Sequence, residues 1–347
     1  MGRNEAHGGA PAALHDIASV YINQDEFYFT VMPPTMSSRR RSHLTRSATA
    51  KGVKITDRDI FDIFEPLSRH AQLTTRQLVA FGSRYPTITK ARLGELWHVT
   101  SDERFHYLHR LSEDVRFANH LFIEDLHRLG VEGEKLLCAK GIILNEPWVS
   151  ASRIGGGSPS PSRVIRLAHD HMASDIALDI EIGVRRAGLT YRSHLDILKI
   201  APMAARSTKR PLQIPVTLNG ERTAIEPDAL FGIGDRNYAL ETDKGTESIR
   251  AVIVPKILAY REIVAGCMID EWLGLDNLTV LFATPSNVRK RNIMAELEAI
   301  ARHGRSPMFG FLADPAFASF MQAAPPSGRY TTMPWARVGF DDLRLVA

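Results

Sequence analysis

Apolar residues recur at helical spacing over the first third of the chain and at mixed helical and strand spacing over the last two thirds. Ile60, Phe61, Ile63, Phe64 and Leu67 form one apolar helix face behind Thr56, a capping residue type. Thr74 or Thr75 starts a short helix with Leu78, Val79 and Phe81, Gly82 to Pro86 breaks it, and Thr87 opens a third helix with Leu93 and Leu96. Phe105 to Leu111 reads partly as a strand, and 121–137 is ambiguous between strand and helix. Further on, Ala168, Met172, Ile176, Ile180 and Val184 make an i, i+4 stripe that stops at Gly188. Strands are expected at 191–200, 212–218, 224–233 and 238–243, with Asn219-Gly220 as a hairpin turn. A long helix follows over 246–267 with Pro255 inside it, then a fully apolar strand at 278–284, a helix over 287–303 and a strand at 308–312. Between the two patterned regions, residues 153–162 are almost all Gly, Ser and Pro.

This order predicts an α+β protein in four parts. They are a disordered basic arm (1–54), a small helical unit (55–150), a linker (151–163) and a mixed α/β domain (164–347). Helix, short helix, turn and helix is the order of a helix-turn-helix, and a strand after it would begin a wing. The third helix would then lie in the major groove and present Thr87, Thr89, Lys90 and Arg92. Arg39, Arg40 and Arg41 head the densest basic run and are candidates for phosphate contacts. A packing domain with a solvated tail is the competing reading of the same residues.

The most specific chemistry lies in Glu226-Pro227-Asp228-Ala229 and Glu241-Thr242-Asp243-Lys244, on two strands joined through Gly234-Asp235-Arg236-Asn237. Strand alternation turns Glu241 and Asp243 to one side, and Asp228 at the mouth of the preceding strand lies beside them. Three carboxylates brought together this way make a site for a hard cation such as Mg²⁺. The plain alternative is a turn cap at Asp228 and a solvated strand face at Glu241 and Asp243. Unneutralised carboxylates repel by ~4 kcal/mol per pair at 4 Å and an effective dielectric of 20, so a convergent cluster calls for a cation or a nearby base.

Composition narrows the context. The 347 residues carry 43 Lys and Arg against 39 Asp and Glu, a mild excess that permits nucleic-acid binding. Cys138 and Cys267 form no metal or disulfide pattern, and no apolar run nears the ~18 residues of a membrane span. A cytoplasmic protein without a membrane partner is expected.

The element order, with Pro-Asp and E-x-D on adjacent strands, resembles the restriction-endonuclease-like fold of the PD-(D/E)xK nucleases. His169, the Glu226–Ala229 and Glu241–Thr246 motifs, and Lys256 with Tyr260 one turn later extend the likeness. Over roughly residues 55–312 the chain is similar to the replication-relaxation family of plasmid, phage and integrative-element proteins. The resemblance implies an N-terminal winged helix-turn-helix, a restriction-endonuclease-like α/β domain, and DNA as partner in replication, mobilisation or relaxation. Self-association into a homo-oligomer is compatible with it. It further implies catalytic roles for Asp228, Glu241, Asp243 and Lys256, with Mg²⁺ held by the three acids. Asp243 stands where the motif has lysine, and Lys256 on the following helix is the candidate replacement. Tyr260 would line the same cleft, and Glu181 would be an additional ligand. The contrasting expectation is a non-catalytic regulator whose nuclease-like domain mediates protein contacts.

Overall fold

The computed structural model describes residues 53–98, 106–110, 126–143, 161–318 and 325–346. The arm with Arg39, Arg40 and Arg41 and the Gly/Ser/Pro run up to residue 160 lie outside the described residues.

The N-terminal part begins with a helical segment, α1 (57–69), whose middle turn at Ile60–Phe64 is wound as a π-helix. Thr56 caps it through a reciprocal bond with Asp59. Strand β1 (Leu73–Thr74) leads into α2 (Thr75–Phe81), capped by Thr74 and Gln77, and α3 (Pro86–Trp97) follows. Helix α3 starts one residue earlier than the sequence pattern suggests, because proline fits the first turn, where its missing N–H costs nothing. Strands β2 (Leu108–Arg110) and β3 (Leu126–Leu129) complete a three-stranded sheet in the order β1-β3-β2. Helix α4 (Val131–Ala139) comes next, so the ambiguous 121–137 region divides into strand and helix among the described residues.

The larger part is built on a seven-stranded mixed sheet. Helix α5 (Pro161–Arg186) precedes β4 (Tyr191–Ser193). The strand expected over 191–200 stops there, because Ser193 and Asp196 form a capping box that starts α6 (His194–Ile200). After α7 (Met203–Arg206), strands β5 (Ile214–Leu218) and β6 (Glu221–Ile225) pair as a separate ribbon. The strand expected over 224–233 is therefore two. Pro227 cannot donate to a ladder, and the chain leaves the ribbon before β7 (Ala229–Ile233) enters the main sheet.

Strand β8 (Arg236–Thr242) pairs antiparallel with β7 and parallel with β9 (Thr279–Thr284), which in turn runs parallel to β10 (Ser306–Ala313). Between β8 and β9 come a π-helical turn (Ile249–Ile253), α8 (Val254–Ala265) and α9 (Met268–Leu273). Pro255 sits in the first turn of α8 and so bounds the α-helix rather than kinking it. Helix α10 (Asn287–Ile300) links β9 to β10. A short turn of helix, α11 (Arg329–Thr332), precedes β11 (Trp335–Val338) and β12 (Phe340–Leu343), two strands the sequence pattern does not reveal. The sheet order is β12-β11-β10-β9-β8-β7-β4.

Strand alternation divides the core cleanly. Ala239, Val280, Phe282, Phe309 and Phe311 face α8 and α10, while Tyr238, Leu240, Leu281, Ala283 and Leu312 face α5. Helix α5 is apolar on two sides. Met172, Ile176, Ile180 and Val184 meet the sheet, and Leu178 and Ile182 join Ile63, Phe64, Leu67 and Leu78 of the N-terminal part. The side of this helix away from the sheet is thus covered by the N-terminal part. Gly183 is required by that packing, since a Cβ there would lie 2.7 Å from the carbonyl oxygen of Gly328.

Candidate functional site at the carboxyl end of strand 8

The parallel strands β8, β9 and β10 end together, and in open α/β sheets the crevice beyond such ends is where ligands bind. Pairing of Ala229 with Leu240 sets Asp228 beside Glu241, and the Asp228 N–H donates to the Leu240 carbonyl at 3.0 Å. Asp228 Oδ2 accepts from the backbone N–H of Thr242 at 2.7 Å and from its hydroxyl at 2.8 Å. Oδ1 accepts no hydrogen bond among the described residues.

His169, on α5, braces the same corner. Its Nε2 donates to the Thr242 carbonyl at 2.9 Å and lies 3.3 Å from Asp228 Oδ2. Burial alone would lower this imidazole, but the Asp170 carboxylate near Nδ1 and the Asp228 charge outweigh it and raise the pKa to about 9. The ring is therefore a cation at neutral pH.

Glu241 points to the other face of the sheet. Its Oε2 accepts from Lys256 Nζ at 3.1 Å and its Oε1 from the Tyr260 hydroxyl, both on α8. Burial, reinforced by the Asp228 charge, pushes its carboxyl up to about 7 against the pull of Lys256 and Tyr260. Burial disfavours the Lys256 ammonium, yet Glu241, Asp228 and Glu247 together hold it above its usual range. Lys256 also lies 3.6 Å from Glu247, so the acids around this ammonium are Asp228, Glu241 and Glu247.

Asp243 corrects the expected triad. It shares the face of Glu241, as alternation requires, but Arg289 of α10 grips it, with Nη2 3.0 Å from Oδ1. Its Oδ1 also accepts from the N–H of Gly245 at 2.8 Å. Gly245 has a φ of +86°, which turns the chain there and brings Glu247 back over Lys256. Arg289 donates to the Glu247 carbonyl as well, so one guanidinium clamps the 243–247 loop at both ends. Replacing Arg289 by methionine is expected to cost about 2 kcal/mol. It should also speed amide exchange across 244–248, read by hydrogen-exchange mass spectrometry, with the β8 amides left slow.

Glu181 is likewise displaced from the expected role. It is fully buried on α5 against Arg69, His70 and Arg185, with Arg69 Nη1 and His70 Nε2 each at 2.9 Å. On the same helix Asp175 accepts from the side-chain amide of Gln77 at 2.8 Å.

A cleft of about 70 Å³ opens onto Asp228, with Arg69, His70, His169, Asp170 and Ser174 among its walls. That volume has room for about two waters, at about 30 Å³ of liquid volume each. Comparison with protein-family models, with curated proteins and with solved structures finds no match.

On α3 the expected groove-facing residues divide. Thr87 and Lys90 are exposed, beside Tyr85 and Ile88. Thr89 is buried, and the Arg92 guanidinium is tied to Asp59 at 2.8 and 3.0 Å and to Glu95, because the third helix packs that side against α1.

The sequence pattern brings Asp228, Glu241, Lys256 and Tyr260 together but does not reveal Glu247, Arg289 or Thr242. Gly245 after an acidic strand end was the available signal for Glu247, since it marks a reversal that returns the next polar side chain.

Among the described residues no group of three or more His, Cys, Asp or Glu side chains is disposed to hold a metal ion. Mg²⁺ makes a lighter demand, since it keeps most of its waters and takes one or two carboxylates. Asp228 has an unengaged Oδ1, whereas both oxygens of Glu241 beside it are taken by Lys256 and Tyr260.

Proposed function

We propose that this is a DNA-binding protein acting on plasmid, phage or integrated-element DNA, and that the Asp228–Glu241–Lys256 centre hydrolyses phosphodiester bonds. The observation that carries the reading is an acid pair on adjacent strands with a lysine ammonium 3.1 Å from one of them. Asp228 and Glu241 would hold Mg²⁺, which supplies positive charge at the phosphodiester. Thr242 and His169 fix Asp228 by one oxygen and leave the other available. Tyr260 orients Glu241, and the Lys256 ammonium stands ready to offset charge that develops on the phosphate. The cleft on the α5 side would give water a path to Asp228. Thr87 and Lys90 on α3 are the groove contacts in this reading.

A second reading has its own support. Both oxygens of Glu241 already accept hydrogen bonds, and Lys256 balances the acids without a metal. A regulator that binds DNA and uses this domain as a scaffold would need no more. The test is cleavage of supercoiled and linear DNA with Mg²⁺ or Mn²⁺, comparing the parent protein with Asp228→Asn and Lys256→Met. Metal-dependent cleavage lost in both variants is the expected result. Intact DNA in every lane, with DNA binding retained, would leave the regulator.

A further inference from the structure

The ribbon formed by β5 and β6 stands apart from the main sheet and ends three residues before Asp228. Ile214, Val216 and Ile225 fasten its inner face to the α8 and α9 core. Register pairs Thr217 with Arg222 and Pro215 with Ala224 on the outer face, which nothing among the described residues covers. Charge along the segment that runs into and through the ribbon is one-sided, although the ribbon strands themselves carry only Arg222 and Glu221. Residues 199–225 hold Lys199, Arg206, Lys209, Arg210 and Arg222 against Glu221 alone, an excess equal to the +4 of the whole chain.

Two of these cations are uncommitted. Lys209 and Arg222 are exposed and make no ion pair or hydrogen bond among the described residues. Arg210 pairs with Glu226, two residues from Asp228, and so ties the base of the ribbon to the acidic centre. Arginine and lysine left free beside an acidic hydrolytic centre suit a polyanion that must be held against carboxylate repulsion. A two-stranded antiparallel ribbon also has the width to enter a B-DNA major groove.

We propose that the β5–β6 ribbon, with Lys209 at its base and Arg222 on its outer face, grips the DNA backbone and seats the duplex across the Asp228–Glu241 centre. The inference rests on the DNA-binding reading above and adds a contact surface separate from α3. It makes the larger domain a DNA-binding element in its own right.

The experiment is fluorescence anisotropy of a labelled mixed-sequence duplex against the full chain over a series of salt concentrations. The double variant Lys209→Ala/Arg222→Ala is expected to lower the slope of log K against log salt by about 2, with about tenfold weaker binding at low salt. Glu221→Lys removes the opposing charge and is expected to steepen the slope by about 1 or more. It also serves if the double variant folds poorly. Lys90→Ala is the comparison for α3. Parent-like slopes in both ribbon variants, with the parent protein binding DNA, would overturn the ribbon contact and leave the DNA-binding reading standing. No binding by the parent protein would overturn both.

Discussion

Replacing Glu181 by alanine is expected to lower the free energy of unfolding by about 3–5 kcal/mol, measured by urea denaturation. Its carboxylate is fully buried and accepts from Arg69, His70 and Arg185, so removal leaves the buried His70 without this partner and Arg69 with Glu65 alone. Burial alone would raise this acid, but the His70 hydrogen bond and the charges of Arg69, His70 and Arg185 prevail and bring the pKa down to about 2. The folded value lies below the unfolded one, so the stabilisation is full above pH ~4.5 and is lost as pH falls toward 2. The gap between parent and variant should therefore be wide at pH 7 and shrink steadily below pH 4.5. A gap that stays constant down to pH 3 would mean that packing around Glu181, and not its charge, carries the effect. Because Arg69 and His70 also wall the cleft at Asp228, the same substitution should loosen the site as well as the fold.

How much of this was readable in the chain depends on how far the deciding residues lie from each other. The β7–β8 hairpin, the apolar β9 strand and the α5 stripe are local patterns and legible as such, with the faces of β8 correctly assigned, though the second apolar side of α5 at Leu178 and Ile182 was not. So was the reach of Lys256 to Glu241, because a helix that follows a strand by a short loop must pack back across it. The failures have a common cause. Asp243 was assigned to the acidic cluster because nothing in its neighbourhood reveals Arg289, which is 46 residues away. Glu181 was a candidate ligand until Arg69, 112 residues earlier, folded over it. Thr89 and Arg92 have the right types for a groove, yet α1 claims that side of α3. In each case a distant segment supplied the partner, and spacing alone carries no record of it. The strand misread at 191–200 is different, since the Ser193–Asp196 capping box was present in the sequence and outweighs the apolar spacing of Leu195, Ile197 and Leu198.

Asp175→Asn is expected to stabilise the protein at pH 8 by on the order of 3 kcal/mol, the reverse of what a buried-residue substitution usually does. Asp175 lies on α5 between the sheet and the N-terminal part, and the one hydrogen bond it accepts among the described residues comes from Gln77. Burial pushes its carboxyl up to about 7; the Gln77 bond and Arg329 oppose this, and the charges of Asp179 and Asp314 add to it. Asp179, one turn on, contrasts with it by accepting from the N–H groups of Ser327, Gly328 and Tyr330. A folded value above the unfolded one means that the native state favours the protonated form. Stability tied to Asp175 is then complete below pH ~4 and is lost as pH rises through 7. Asparagine keeps the acceptor for Gln77 and carries no charge, so it mimics the protonated acid at every pH. The variant should match the parent near pH 4, gain through pH 5 and 6, and reach its full advantage above pH 7. Urea midpoints of both proteins at pH 4.5 and pH 8 decide it. Equal midpoints at pH 8 would place a compensating cation on Asp175, with Arg329 the nearest source.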